Sequence, residues 1–326
     1  MQHRGAALAS LLLLVWFALS VGMPTRAQTI PPVTPPERFE SARSDKFTGG
    51  RIERTRLEPG QTDIRITVNV PSFRLTLWQN GMEVKTYPIG VGRKEFPLVI
   101  GDRLAKEIIY NPSWIPPASE WVEEMSSVSP GEVIKATDKR NPLGKVKIPL
   151  GGGYLIHQAK GTGDLGRLVS HGCVRMLRSD LYDLAEKIIA ARGLPVSAKK
   201  IAQAKATLRE TWVNLDEPLP VDIDYDTEVV EEGVLHLYPD VYGRKTATVE
   251  RLRAELAASG VDESDIDERT LRRMLARVTP TTQFVVSIES IKKGRALADG
   301  RTLPLVGQPR GTRPAPRRRS ATNTGR

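Results

Sequence analysis

Cysteine and histidine are both scarce in this chain. Its 326 residues include one cysteine, Cys173, and four histidines. One cysteine cannot form an intramolecular disulfide, and the metal-ligand patterns C-x-x-C and H-E-x-x-H are absent from the sequence. The sequence therefore gives no sign of a disulfide framework, and we expect neither a metal centre nor another cofactor.

Long apolar runs are also lacking, except at the N-terminus. Arg4 precedes the uncharged run Ala6–Val21, and Thr25-Arg26-Ala27 places small residues at positions −3 and −1 of a cleavage point. This pattern predicts a signal peptide over residues 1–27 and an exported protein of the periplasm or cell envelope. The alternative is an uncleaved anchor, although the run falls short of the ~20 residues that span a bilayer.

Acidic residues are outnumbered by basic ones, which gives a formal net charge of +10. Residues 310–326 contribute six arginines and no acidic residue, and this composition predicts a disordered basic tail. Such a tail favours contact with anionic envelope polymers, and the alternative is a solvated tail that only aids solubility. Because the chain is predicted to be exported, we expect no nucleic-acid partner.

Alternating apolar residues predict a fold that is mainly β. A proline-rich linker over residues 28–62 leads into this pattern, and Asn80-Gly81 between two alternating runs predicts a hairpin. We expect a β-sandwich or barrel-like domain over residues 63–243, with a helix that Ser179 or Asp180 caps and Gly193 ends. Charged amphipathic segments predict a helical C-terminal extension over residues 244–309.

The lone cysteine lies in a sequence suited to thiol catalysis. Thiol chemistry needs a thiolate, a base and donors for an oxyanion. Gly172, directly before Cys173, leaves the backbone open to a substrate carbonyl, and His157 and His171 are the candidate bases. An i, i+2 neighbour such as His171 is poorly placed to bond the sulfur directly, so geometry favours His157 from a neighbouring strand.

The segment "IHQAKGTGDLGRLVSHGCVR" resembles the signature of the L,D-transpeptidase (YkuD-type) catalytic domain, and "NPSWIPP", "NPLGKVKI" and "LPVDIDY" agree with it. The resemblance implies that His157 is the base and that the backbone carbonyl of Gln158 orients it. Family members often have glycine at this position, so the larger side chain of Gln158 would narrow the site.

The same resemblance assigns roles to the residues around the cysteine. It implies oxyanion donors in the backbone N–H groups of Gly172 and Cys173, with His171 as a further candidate. Ser170 and His171 would brace the turn. Arg175 stands where other branches have asparagine, and it would either hold the loop or bind a substrate carboxylate.

The implied substrates are the stem peptides of peptidoglycan. A Cys173 thioester would form with release of D-alanine, and an amine from a neighbouring stem or from an envelope protein would resolve it. Water is a third possible acceptor, and the sequence leaves the choice open. Tyr154 and Trp114 are candidates for lining the substrate cleft, although aromatic residues in short strands are usually core residues.

Three other functions compete with this interpretation. The chain would be a non-catalytic peptidoglycan-binding module if the motif residues only shape a turn. It would be a zinc-dependent hydrolase if His157, His171 and Cys173 were metal ligands, although no fourth ligand is evident. A serine hydrolase using Ser170 is the weakest alternative, because the better nucleophile lies three residues away.

Overall fold

The computed structural model describes residues 63–305. The predicted signal peptide, the proline-rich linker over residues 28–62 and the basic tail over residues 310–326 lie outside the described residues. No helix between residues 63 and 305 is long and apolar enough to cross a membrane.

An eight-stranded mixed sheet is the centre of the first part of the chain. Its strand order is β3-β2-β1-β10-β5-β6-β7-β9, and only the β1/β10 and β7/β9 pairs are parallel. The strands of this sheet are β1 Ile64–Asn69, β2 Arg74–Gln79, β3 Met82–Pro88, β5 Gly101–Tyr110, β6 Val146–Pro149, β7 Leu155–Gln158, β9 Val174–Met176 and β10 Thr211–Asp224.

The predicted hairpin is confirmed. β2 and β3 pair antiparallel, and Asn80 and Gly81 between them have φ of 53° and 76°. Both values lie in the left-handed region that a type I′ turn requires at its two central residues, which is why Asn-Gly is favoured there.

The two edges of the sheet approach each other beyond β3. Gly90, two residues after that strand, forms a bridge with Arg175 of β9, with main-chain hydrogen bonds of 2.8 Å in both directions. β4 (Val91–Gly92) then pairs in parallel with β8 (Leu168–Ser170). The sheet is thus nearly closed into a barrel, and the predicted fold class, mainly β and barrel-like with few helices, is confirmed.

A helix packs against the inner face of β6 and β7. α2 (Arg178–Ala191) buries Leu181, Leu184 and Ile188 in the same core as Ile148 and Ile156. Gly193, with φ of 57°, follows its end as predicted. The predicted cap is wrong, because the helix begins one residue before Ser179 and its N-cap, Leu177, offers no side-chain hydrogen bond. α3 (Ala198–Ala206) follows.

A second, four-stranded sheet has the order β11-β12-β13-β14 and its own apolar core. Its strands come from both sides of residue 243, where the sequence suggested a domain boundary that stays a prediction. The elements of this part are β11 Glu228–Glu231, β12 Val234–Leu237, α4 Val249–Ala258, α5 Glu268–Leu275, β13 Thr282–Ser287, α6 Ile288–Lys292, α7 Ala296–Asp299 and β14 Arg301–Pro304.

A further helix, α1 (Glu120–Glu123), lies between β5 and β6, in residues 111–144. Trp114, Val122 and Ile134 of this 111–144 segment form a small separate apolar cluster, and Leu155 of β7 packs against it. The segment is therefore anchored on the strand that carries His157.

Candidate active site

Three neighbouring strands place His157 between two basic residues, Lys147 and Arg175. Lys147 of β6 lies opposite His157 of β7, which lies opposite Arg175 of β9. Ile148, Ile156 and Val174 alternate with these residues and are fully buried in the barrel core. Because side chains alternate across a sheet, Lys147, His157 and Arg175 share the opposite face.

Cys173 lies on a tight turn between β8 and β9, one residue before β9 begins. Gly172 has φ of 106°, a conformation that L side chains rarely adopt. The Ser170 hydroxyl donates to the Cys173 carbonyl at 2.6 Å and closes the turn. Because β7 and β9 pair in register, Cys173 stands opposite Leu155, whose main chain lowers the pKa of the thiol.

Burial favours the neutral forms of both the Cys173 thiol and the His157 imidazole. Burial raises the pKa of the Cys173 thiol, although the residue as a whole is only partly buried, and Leu155 and Arg175 oppose this rise. Burial, and after it Arg175, lowers the pKa of His157 to about 3. Both shifts favour the neutral forms, so the imidazole is available as a proton acceptor.

Gln158 acts on His157 through its backbone and on the 111–144 segment through its side chain. Its carbonyl raises the pKa of His157, yet Nδ1 of His157 has no hydrogen-bond partner among residues 63–305. The Gln158 side chain accepts the Lys145 N–H at 3.0 Å and packs against Gly144, so it points to the end of the 111–144 segment and does not narrow the catalytic turn.

His171 is held by other side chains. The Arg93 guanidinium contacts its Nε2, and because a guanidinium only donates, Nε2 accepts and the proton lies on Nδ1. Burial, Arg93 and Arg175 lower its pKa. The Trp121 ring stacks on the imidazole at 4.3 Å between centroids, and Phe96 meets it edge-on at 4.8 Å. This geometry favours His157 over His171 as the base.

Tyr154 and Trp114 take different positions. A methyl group on Gly172 would lie 2.9 Å from the Tyr154 ring, and Arg103 lies over that ring at 5.1 Å. Tyr154 therefore borders the cysteine turn. Trp114 is buried in the apolar cluster of the 111–144 segment and stacks on Trp121 at 6.4 Å between centroids. The Trp121 ring therefore lies between Trp114 and His171.

Arg175 pairs with an acidic residue within the segment that links His157 to Cys173. Its Nη1 lies 3.2 Å from Oδ2 of Asp164, and both side chains are largely buried. Asp164 also accepts the Lys160 N–H at 2.8 Å. Of the two roles suggested for Arg175, this geometry favours holding the loop.

Several residues at the site were missed by the sequence reasoning. Gly92 pairs with Ser170, and a methyl group on it would lie 2.2 Å from the Phe96 carbonyl oxygen and 3.0 Å from the Gly172 Cα. The closely spaced glycines of "IGVGR" were a signal of such a close backbone approach. Asp164 lay inside the quoted signature without a role, and nothing local pointed to Arg93 or Trp121.

The competing functions find little support in this geometry. Within residues 63–305 no group of three or more His, Cys, Asp or Glu side chains is arranged to hold a metal ion, so His157, His171 and Cys173 are not such a group. Ser170 is buried and its hydroxyl is committed to the Cys173 carbonyl.

A cavity of about 550 Å³ elsewhere, lined by Lys94, Arg167 and Tyr238 among others, contains none of the predicted site residues.

Residues 63–200 match the family model of the YkuD L,D-transpeptidase catalytic domain. A similar curated protein, the probable L,D-transpeptidase YbiS of Escherichia coli K12, is 29% identical over 126 residues, which are 38% of this chain and 41% of that protein. The probable L,D-transpeptidase YcfS of the same organism is 25% identical over 176 residues, 51% of this chain and 53% of that protein. The chain thus spans about half the length of the curated relatives it matches.

Among solved structures, an L,D-transpeptidase from Mycobacterium smegmatis matches with 15% identity and a TM-score of 0.30, over 50% of this chain and 59% of that one. The catalytic domain of an E. faecium L,D-transpeptidase matches with 15% identity and a TM-score of 0.32, over 50% of this chain and 98% of that one.

Proposed function

We propose that this chain, whose residues 63–200 belong to the YkuD family of L,D-transpeptidase catalytic domains, is a cysteine acyltransferase acting on peptidoglycan stem peptides. Cys173 is the nucleophile and His157 is the base. The observation that carries the proposal is the in-register pairing of β7 with β9, which puts the lone thiol and a neutral buried imidazole on the same part of the sheet.

The first half-reaction forms a thioester. The Cys173 sulfur attacks the carbonyl carbon of the third stem residue, and the thiol proton passes to His157. The C–N bond to the terminal D-alanine then breaks, and His157 returns the proton to the departing amine. The neutral resting pair suits this sequence, because the proton leaves the thiol only when the substrate takes up the sulfur's electron pair.

The second half-reaction resolves the thioester. An amine attacks the same carbonyl and loses a proton to His157, and the proton returns to sulfur as the C–S bond breaks. No nucleotide is consumed, because the thioester retains the energy of the original peptide bond. The N–H groups of Gly172 and Cys173 stabilise the oxyanion in both steps, and Ser170 holds the turn that presents them.

The sequence supports an exported location and leaves the acceptor open. The signal-peptide pattern over residues 1–27 supports action in the periplasm, where stem peptides are exposed. The acceptor is an amine of a neighbouring stem, an amine of an envelope protein, or water, and the basic tail brings the enzyme to anionic envelope polymers.

A single experiment tests the proposal. The folded protein is incubated with a carbapenem, and the intact mass of the wild type is compared with that of Cys173→Ala. We expect one covalent adduct that maps to Cys173 in the wild type and none in the variant. Muropeptide analysis with and without the enzyme then identifies the acceptor. Stem-peptide binding without an adduct would support the non-catalytic module, and stoichiometric zinc would support the hydrolase.

A further inference from the structure

A short loop surrounds the turn that carries Cys173. Residues 92–98 (the 92–98 loop) begin with Gly92 packed against Gly172, and the Arg93 N–H donates to the Ser170 carbonyl at 2.9 Å. The Pro97 carbonyl oxygen would lie 3.7 Å from a methyl group on Gly172. The position of the cysteine turn therefore depends on the position of this loop.

One hydroxyl group joins the two ends of the 92–98 loop. The Tyr242 hydroxyl donates to the Gly92 carbonyl at 3.0 Å and accepts the Leu98 N–H at 3.1 Å. Burial raises the pKa of Tyr242 to about 12, so the hydroxyl stays protonated and able to donate at any physiological pH.

The Tyr242 ring is itself fixed by neighbouring residues. It stacks on Tyr225 at 5.6 Å between centroids, and its main-chain N–H donates to the Tyr225 hydroxyl at 2.7 Å. That hydroxyl donates to Asp240 at 2.6 Å, and the Arg244 guanidinium lies over both rings. None of these residues falls within residues 63–200, which the family model matches.

We propose that Tyr242 is a positioning residue that holds the Gly172–Cys173 turn through the two ends of the 92–98 loop. This inference rests on the proposed function, because the turn matters for acylation only if Cys173 is the nucleophile. The inference gives a role to Tyr242, which lies beyond residues 63–200 that the family model matches. Tyr242 fixes the 92–98 loop, and the Gly172–Cys173 turn packs against that loop.

Removing the hydroxyl separates two kinds of reactivity. In Tyr242→Phe the Gly92 carbonyl and the Leu98 N–H lose a shared partner, and the loop ends are free to move apart. Acylation needs backbone donors placed accurately at the developing oxyanion. Alkylation by iodoacetamide needs only an accessible thiolate. A displaced turn therefore slows acylation while leaving alkylation nearly unchanged.

The test compares Tyr242→Phe with Tyr238→Phe, both made in the full chain and assayed as folded protein. Tyr238 is also buried, but its hydroxyl has no hydrogen-bond partner among residues 63–305, so it is a matched control. Carbapenem acylation, iodoacetamide alkylation and the melting temperature are measured for each. We expect Tyr242→Phe to be acylated roughly tenfold more slowly, the loss of about 1.4 kcal/mol of transition-state stabilisation, with alkylation within about twofold of the wild type. Tyr238→Phe should match the wild type in both reactions.

Two results would overturn the inference: an unchanged acylation rate in Tyr242→Phe, or an equal fall in acylation and alkylation. Hydrogen exchange at the Leu98 and Arg93 amides, which donate to the Tyr242 hydroxyl and to the Ser170 carbonyl, gives a second readout that needs no turnover, and we expect faster exchange at both in Tyr242→Phe. If the wild type formed no adduct, the proposed function would fail, and exchange would still decide whether Tyr242 holds the turn.

Discussion

The ion pair between Asp164 and Arg175 holds the segment that connects His157 to Cys173, and Asp164→Asn tests it. The two side chains keep 15% and 11% of their exposure and lie 3.2 Å apart. Removing one partner of a fully buried pair costs about 3–5 kcal/mol, whereas exposed pairs contribute about 0–1 kcal/mol. Asparagine retains an acceptor for the Lys160 N–H, so we expect a loss of about 2–3 kcal/mol of unfolding free energy.

The assay is thermal unfolding of the wild type, of Asp164→Asn and of Asp138→Asn as control. Asp138 pairs with Arg140 at 2.7 Å, but these side chains keep 31% and 39% of their exposure. With an unfolding entropy of about 2.1 cal/mol/K per residue, the expected loss lowers the melting temperature by roughly 3–4 °C, and the control should fall by much less. Equal small shifts in the two variants would refute the reasoning that burial makes the Arg175 pair important.

Four further predictions concern protonation and packing. Because burial raises the pKa of the Cys173 thiol, its alkylation rate should keep rising above the pH at which an ordinary cysteine levels off, and a plateau below pH ~7 would contradict a neutral resting pair. The pKa of His157 is about 3 in the folded protein and ~6.5 in the unfolded chain, so the unfolded chain binds a proton first as the pH falls. Between pH ~6.5 and about 3 this residue therefore makes the protein less stable as the pH falls. The urea midpoints of the wild type and His157→Gln should converge over this range, and a constant difference between them would contradict the lowered pKa. Gly92→Ala should lose about 1–3 kcal/mol of stability and slow acylation, because the new methyl group meets backbone atoms; unchanged melting and acylation would show that the contact yields easily. Gln158→Leu should lower stability by about 1–3 kcal/mol, as the Lys145 N–H loses its acceptor, whereas the exposed Gln203→Leu should be near neutral; similar values for both would refute the assigned contact.

The sequence predicted best where the physical cause is local. Asn80 and Gly81 form the β2–β3 turn because both adopt positive φ. Gly193 ends α2 because it too adopts a positive φ, which does not continue a right-handed helix. The alternation of apolar residues in β1 matches the burial of Ile64, Ile66 and Val68. The prediction of the α2 cap failed because the helix starts directly after a strand. Its N-cap, Leu177, makes no side-chain hydrogen bond, whereas the prediction assumed that the N-cap residue would make one.

Contacts between distant segments were beyond the reach of the sequence. Arg93 meets His171 across 78 residues because β4 pairs with β8, and no local pattern gives that register. The same holds for Tyr242, which reaches Gly92 across 150 residues. At the second sheet, β12 pairs with β13 across two intervening helices, and no local pattern in the sequence gives that pairing.

The central claim is that Cys173, with His157 as its base, forms the covalent intermediate. The most direct measurement is the intact mass of the folded wild type, His157→Gln and Cys173→Ala after exposure to a carbapenem. The account predicts a single adduct on Cys173 in the wild type, much slower formation in His157→Gln and none in Cys173→Ala. An adduct of equal yield in Cys173→Ala, or none in folded wild type, would contradict it.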